Sequence, residues 1–245
     1  MFIADNLAEM RPFFIEFEQT YLHGDMLLEP DSDQPPALLF IDGIGESEER
    51  SQFSVLRQVL LKRHHISSCA FDSIGNGNTG GNWKTGSLQH RILQAGEVID
   101  ACFDSKPFSI IAIGIGAYAA IRLLDSADVK HLILLSPILY DPCFSSSPLG
   151  DLPTDPHPIV RPNRDKYDPF PHIQTFSGKI CCVLAENETV GAMISAETLQ
   201  TYAKGAILCQ KYTIPHSSHP IMQAISRNPS TLSNVAGMIA GILAP

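Results

Sequence analysis

The sequence has few basic side chains and no long apolar segment, and these two deficits exclude whole classes of protein. Lys and Arg number 17 against 26 Asp and Glu, which gives a formal net charge of −9. Because binding to phosphates needs a basic face, this balance argues against nucleic acid as a partner. No uninterrupted apolar run approaches the roughly 20 residues that span a bilayer, so we expect no membrane span.

The N-terminal stretch lacks the basic region and apolar core of a signal peptide, because Asp5, Glu9 and Arg11 interrupt it. We therefore expect a cytoplasmic protein. The six cysteines form no CxxC pair and the histidines show no ligand spacing, so we expect reduced thiols and no metal site. We also expect no cofactor.

The composition that remains is typical of one globular domain. Hydrophobic residues make up 44% and charged residues 18%, which excludes a disordered chain. A chain of 245 residues can bury one large core but is short for two. We therefore predict a single domain over residues 1–245.

Apolar runs and helical periodicities alternate along the chain. Residues 12–19 and 21–29 predict two short strands around a turn. Further strands are predicted at residues 37–42, 66–72, 108–114, 131–136, 179–185 and 206–214. Helical spacing occurs at residues 50–63, 85–103, 116–125, 195–204 and about 230–243. Repeated βα units predict an α/β fold, with a mainly parallel mixed sheet of about eight strands and helices on both faces.

One segment, residues 137–179, has many prolines and few periodic apolar positions. It predicts a short loop or lid over the site. Its aromatic side chains are candidates for substrate contact: Tyr140, Phe144, Tyr167 and Phe170.

Sites in open α/β sheets form at the carboxyl ends of the strands, so the residues that follow each strand are informative. Those segments are DGIGE from Asp42, FDSIGNGNTGG from Phe71, AIGIG from Ala112, AENET from Ala185 and HSSHP from His216. Together they resemble the α/β-hydrolase superfamily, in particular its serine aminopeptidase, monoglyceride lipase and acyl-thioesterase branch. The resemblance covers roughly residues 20–243 and implies the α/β-hydrolase fold.

The resemblance also implies roles for particular residues. Gly114 stands at the nucleophile position of Gly-x-Ser-x-Gly, where glycine cannot form an acyl-enzyme. His219 stands at the position of the triad histidine and Glu188 at that of the acid, with Glu186 as an alternative acid. The amides of Ile44 and Ile115 would donate to an oxyanion.

Two further interpretations concern the same segments. Asp42 replaces the histidine of the family's His-Gly pair and could contact substrate, act as an acid or cap a loop. The run from Gly114 to Ala119 also fits the dinucleotide-binding pattern G-x-G-x-x-A. Ser136 and Pro137 stand where that pattern needs a ribose-binding acid, so we treat it as a remote alternative.

These residues favour an enzyme that acts on a carbonyl or acyl group of a small molecule, such as an ester, thioester or amide. It could be a serine hydrolase that carries Ser→Gly at 114. It could instead use His219 and its acid without a covalent step, as a lyase, cyclase or isomerase would. The other alternative is an inactive pseudo-hydrolase that binds a ligand or a protein.

Overall fold

The computed structural model describes residues 8–44, 49–153 and 171–244. The strands are β1 (Glu9–Phe17), β2 (Thr20–Leu28), β3 (Leu38–Ile41), β4 (Ser68–Asp72), β5 (Phe108–Ile113), β6 (Val129–Leu135), β7 (Lys179–Asn187) and β8 (Leu208–Ser218). The helices are α1 (Ser54–His64), α2 (Leu88–Cys102), α3 (Gly116–Arg122), α4 (Pro171–Thr175), α5 (Val190–Tyr202), α6 (Ile221–Arg227) and α7 (Pro229–Leu243).

The eight strands form one mixed sheet in the order β1-β2-β4-β3-β5-β6-β7-β8. The hairpin of β1 and β2 is antiparallel, and β2 pairs antiparallel with β4. From β4 to β8 every neighbouring pair is parallel. The predicted mainly parallel sheet of about eight strands is therefore confirmed, with β5 and β6 near its middle.

Strands β3 and β5 are buried along their whole length because helices cover both faces of the sheet. Alternate residues of β5 enter different cores. Ile110 packs in the cluster that α2, α3 and α5 cover, and Ile111 packs in the cluster that α1, α6 and α7 cover. Because β5 to β8 are parallel, their carboxyl ends lie at the same end of the sheet, and the candidate site lies there.

The structure differs from the sequence prediction in two short helices. Helix α6 was not predicted, because it has only seven residues and directly follows Pro220. Helix α4 lies inside the segment predicted as a loop or lid, residues 137–179. The first part of that segment contains short 3-10 turns, and its residues 154–170, with Tyr167 and Phe170, lie outside the described ranges.

Three further observations concern cysteines, metals and membranes. All six cysteines are free thiols, and four of them are buried. Within the described ranges, no three His, Cys, Asp or Glu side chains come together in a way that could hold a metal ion. No helix in these ranges has both the length and the hydrophobicity to cross a bilayer.

Candidate active site

The turn between β5 and α3 contains Gly114, whose φ is +55°. Its amide donates to the carbonyl of Leu135 at 3.0 Å, and its carbonyl accepts from the amide of Ile138 at 2.9 Å. A Cβ placed on Gly114 would meet no heavy atom within 4 Å. The turn is therefore held to the neighbouring strand while the side-chain direction at this residue opens into free space.

Gly116, the first residue of α3, has no room for a side chain. A Cβ there would lie 2.6 Å from the carbonyl oxygen of Asp42 and 3.0 Å from that of Ile41. These backbone atoms belong to β3 and the loop after it, so they cannot move aside easily. The absence of a side chain lets the helix begin close against the sheet.

His219 follows β8 and contacts a buried carboxylate. Its Nδ1 lies 3.3 Å from Oε1 of Glu188, whose side chain is 1% exposed, while the His219 side chain is about half exposed. The Glu188 carboxylate also accepts hydrogen bonds from the amides of Ala185 (3.1 Å) and Thr189 (2.8 Å). The carboxylate is thus held in place, and it can in turn orient the imidazole ring.

The alternative acid, Glu186, does not contact His219. Its Oε2 accepts from the amide of His216 at 2.6 Å, and it lies 3.7 Å from that histidine's Nδ1. The Glu186 side chain is 51% exposed and that of His216 is 95% exposed. Of the two candidates, the structure brings only Glu188 to His219.

Ser136 lies beside the histidine–glutamate pair, although no sequence pattern predicts a role for it there. It follows β6, is 2% exposed, and has a φ of +43°, a conformation that costs a non-glycine residue energy. Its hydroxyl donates to Oε2 of Glu188 at 2.5 Å. A serine directly after a buried strand, beside the strand that carries Gly114, is the signal that could have pointed to it.

One pocket of about 380 Å³ brings five of the predicted residues together. Its wall includes Gly114, His219, Ile44, Ile115 and Tyr140. The other residues that line it are Gly43, Gln52, Trp83, Ile113, Ser136, Ile138, Leu149, Gly150, Leu152, Pro153 and Pro220. Glu188 stands behind His219 and does not line the pocket.

Two backbone amides are candidates for oxyanion donors at this wall. Ile115 is the N-cap residue of α3. The first backbone amides of a helix point out of its N-terminal end, because no preceding turn supplies an acceptor. Ile44 lies on the loop after β3, directly before residues 45–48, which are outside the described ranges. Both residues line the pocket on which Gly114 and His219 also border.

The structure brings neither Asp42 nor Phe144 to the pocket wall. The Asp42 carboxylate is buried and accepts hydrogen bonds from Ser73 Oγ (2.6 Å), Asn76 Nδ2 (2.6 Å) and Arg91 Nη1 (3.0 Å). Burial raises the pKa of Asp42, while Arg91 and the hydrogen bonds oppose that shift. Asp42 therefore connects the loop after β4, which contains Ser73 and Asn76, to Arg91 on α2. Phe144 packs against the core.

Comparison with solved structures identifies the fold. A predicted CIB-like hydrolase from Thermoplasma acidophilum superimposes with a TM-score of 0.66 at 12% identity, over 96% of this chain and 99% of the other. An esterase from Pyrococcus furiosus gives 0.66 at 16% identity, over 96% and 90%. The chain has the α/β-hydrolase fold. A Butyrivibrio proteoclasticus protein with bound ferulic acid gives 0.65 at 17% identity, over 93% and 99%.

Neither a family model nor a curated protein sequence matches the chain. At identities of 12 to 17%, the likeness establishes the α/β-hydrolase fold and nothing about the reaction. The distinctive feature of the pocket is a glycine in the strand–helix turn beside a histidine–glutamate pair.

Proposed function

We propose that the chain is a hydrolase-type enzyme that acts on a carbonyl or acyl group of a small molecule without a covalent step at position 114. The observation that carries this proposal is the contact between His219 and the buried Glu188, on the pocket that Gly114 borders. An imidazole with its Nδ1 directed at a carboxylate has its Nε2 free to accept a proton.

The open space at Gly114 allows a water molecule to take the place of a nucleophilic side chain. His219 would accept a proton from this water as its oxygen attacks the carbonyl carbon. The amides of Ile44 and Ile115 would donate to the oxyanion that forms. When the intermediate collapses, the bond to the leaving group breaks and His219 returns the proton to that group.

A second candidate function is ligand binding without turnover. Gly114 favours this second function, because a glycine has no side chain that could form the covalent acyl-enzyme of a serine hydrolase. A histidine–glutamate pair that merely remained from an ancestor would then contribute to the pocket wall alone. The two candidates differ in whether His219 is needed for any reaction.

The test compares two histidine variants in hydrolysis of 4-nitrophenyl acetate and of an acetyl thioester. His219→Ala should lower the rate by roughly 10²- to 10⁴-fold, the usual contribution of a general base. His216→Ala is the matched control, because His216 is on the same segment and pairs with Glu186 instead. We expect its rate to stay at that of the unmodified protein.

Intact-mass measurement during turnover separates the covalent from the direct mechanism. We expect no protein species that carries an acetyl group at any time before the steady state. Unchanged turnover in His219→Ala would refute the proposal. Absence of turnover with every ester and thioester, together with ligand binding in the pocket, would favour the binding function.

A further inference from the structure

Ser136 has a backbone conformation that suits glycine better than serine. Its φ of +43° lies in the left-handed region, where a side chain costs energy and glycine is favoured. The residue is 2% exposed, so its hydroxyl needs a hydrogen-bond partner within the protein. A strained residue that nevertheless carries a polar side chain points to a use for that side chain.

The partner of this hydroxyl is the carboxylate of Glu188. The described residues hold that carboxylate from several directions. The amides of Ala185 and Thr189 belong to its own segment of chain, and His219 is the group that it orients. Ser136 is the remaining contact, and it follows a different strand, β6. It therefore fixes the carboxylate relative to the rest of the sheet.

The backbone of Ser136 lies between the turn at Gly114 and β7. The residue before it, Leu135, pairs with the last residue of β5, so Ser136 and Gly114 stand at the same level of the sheet. The amide of Ser136 donates to the carbonyl of Val183 on β7 at 2.9 Å. Its hydroxyl thus links the carboxylate of Glu188 to the part of the sheet that carries Gly114.

We propose that Ser136 is a positioning residue that acts on His219 through Glu188. Its hydroxyl holds one oxygen of the carboxylate, so that the other oxygen faces Nδ1 of His219. The hydrogen bond at Nδ1 in turn decides which nitrogen of a neutral imidazole carries the proton. With the proton on Nδ1, Nε2 is the acceptor that a general base needs. The effect on the imidazole follows from these contacts, whereas the effect on turnover rests on the proposed function.

Nitrogen-15 NMR of the histidine side chains tests this positioning without any turnover. The chemical shifts of Nδ1 and Nε2 report which nitrogen carries the proton, and a pH of about 8.5 keeps an ordinary imidazole neutral. We expect the proton of His219 on Nδ1, and its signals are those that His219→Ala lacks. Ser136→Ala should move these signals towards those of a tautomer mixture. His216 is the internal reference, because its side chain is 95% exposed and pairs with Glu186.

A second variant separates positioning from stability. Ser136→Ala and Ser136→Gly both remove the hydroxyl, but glycine also relieves the left-handed backbone. The Tm of Ser136→Gly should therefore exceed that of Ser136→Ala by about 2–4 °C. We expect the same tautomer change in both variants. Both should also lose kcat equally, by roughly tenfold, with KM within about twofold of that of the unmodified protein.

Ser195→Ala is the matched control. Ser195 is also buried, and its hydroxyl accepts from the amide of Leu139 at 3.1 Å, in the loop that begins with Ser136. It is not one of the described residues that line the pocket. Its substitution should lower Tm, while kcat and the tautomer of His219 stay those of the unmodified protein. An equal tautomer change in Ser195→Ala would indicate general loosening and contradict the proposal.

The inference is overturned if Ser136→Ala and Ser136→Gly leave the signals of His219 in place. It is also overturned if kcat recovers in Ser136→Gly together with Tm, because the loss in Ser136→Ala would then be one of stability. Failure of the proposed function looks different: turnover would be absent or independent of His219, while the tautomer change in the Ser136 variants persisted. Conversely, turnover that needs His219, with an unchanged tautomer in both variants, would refute the positioning role alone.

Discussion

Substitution of Gly114 by serine would place a hydroxyl at the strand–helix turn, and the structure allows its energetic cost to be worked out. A Cβ at this residue meets no heavy atom within 4 Å, so the cost lies in the backbone alone. With φ at +55°, a left-handed conformation costs an L-residue about 1–2 kcal/mol. For a chain of this length, that corresponds to a fall in Tm of about 2–8 °C.

Gly114→Ala is the matched control, because it carries the same backbone cost without the hydroxyl. Gly116→Ala should be worse, since its Cβ would lie 2.6 Å from a backbone oxygen. The assays are thermal unfolding, labelling by a fluorophosphonate and hydrolysis of short acyl esters. We expect Gly114→Ser alone to be labelled and to form an acyl-enzyme, and the further change His219→Ala to abolish both.

Two results would refute this reasoning. If Gly114→Ala lowered Tm as much as Gly116→Ala, the space above the turn would not be open. If Gly114→Ser folded and yet resisted the fluorophosphonate, His219 would not be placed to activate a hydroxyl at this turn. The same experiment bears on the interpretation that Gly114 replaces a natural serine, which requires the restored serine to be active.

The remaining predictions concern the acid, a buried ion pair and a histidine in the sheet. Glu188→Gln should lower any His219-dependent turnover by at least about tenfold, because the amide cannot stabilise an imidazolium. Asp42→Ala should lower the free energy of unfolding in urea by about 3–5 kcal/mol, because it breaks the buried ion pair between Asp42 and Arg91. Burial, with Lys179 and Lys130 nearby, lowers the pKa of His131, whose Nδ1 accepts from the Lys179 amide at 3.1 Å. The stability that neutral His131 contributes is complete above its ordinary pKa of 6.5 and is lost as the pH falls through its lower folded value.

Each of these has a control. Glu186→Gln should leave turnover unchanged, and equal losses in both variants would contradict the assignment of Glu188. Asp128→Ala removes an exposed ion pair and should change stability far less than Asp42→Ala. The fall in stability below pH 6.5 should be smaller in His131→Gln, and an identical pH profile in both proteins would contradict the role of His131.

Much of the fold could be predicted because hydrophobic patterns report burial directly. Each predicted strand from 37–42 to 206–214 has its counterpart among β3 to β8. Short elements could not be predicted, because a helix such as α6, with seven residues, spans too few turns to show a clear hydrophobic period. The turn at Gly114 was predictable because strand, glycine and helix follow one another without a break.

The assembly of the candidate site was harder to predict from the sequence than the fold. Asp42 follows a strand in the same way as Gly114, yet its carboxylate turns to Arg91, which is 49 positions away in the chain. Trp83 belongs to the pocket wall because the loop after β4 meets the loop after β6, and no local pattern records that meeting. Ser136 contacts Glu188 across the end of β7, again through strand neighbours that are distant in sequence.

The sequence by itself determined the alternation of strands and helices and the glycine at the turn, because both depend on burial and backbone freedom over a few consecutive residues. Tertiary structure alone decided that Glu188 and not Glu186 meets His219, and that Asp42 is sealed away from the pocket. The physical reason is that a carboxylate forms hydrogen bonds and ion pairs with the donors that lie nearest to it in the folded chain. Those donors come from strands and loops that only the folded sheet brings together.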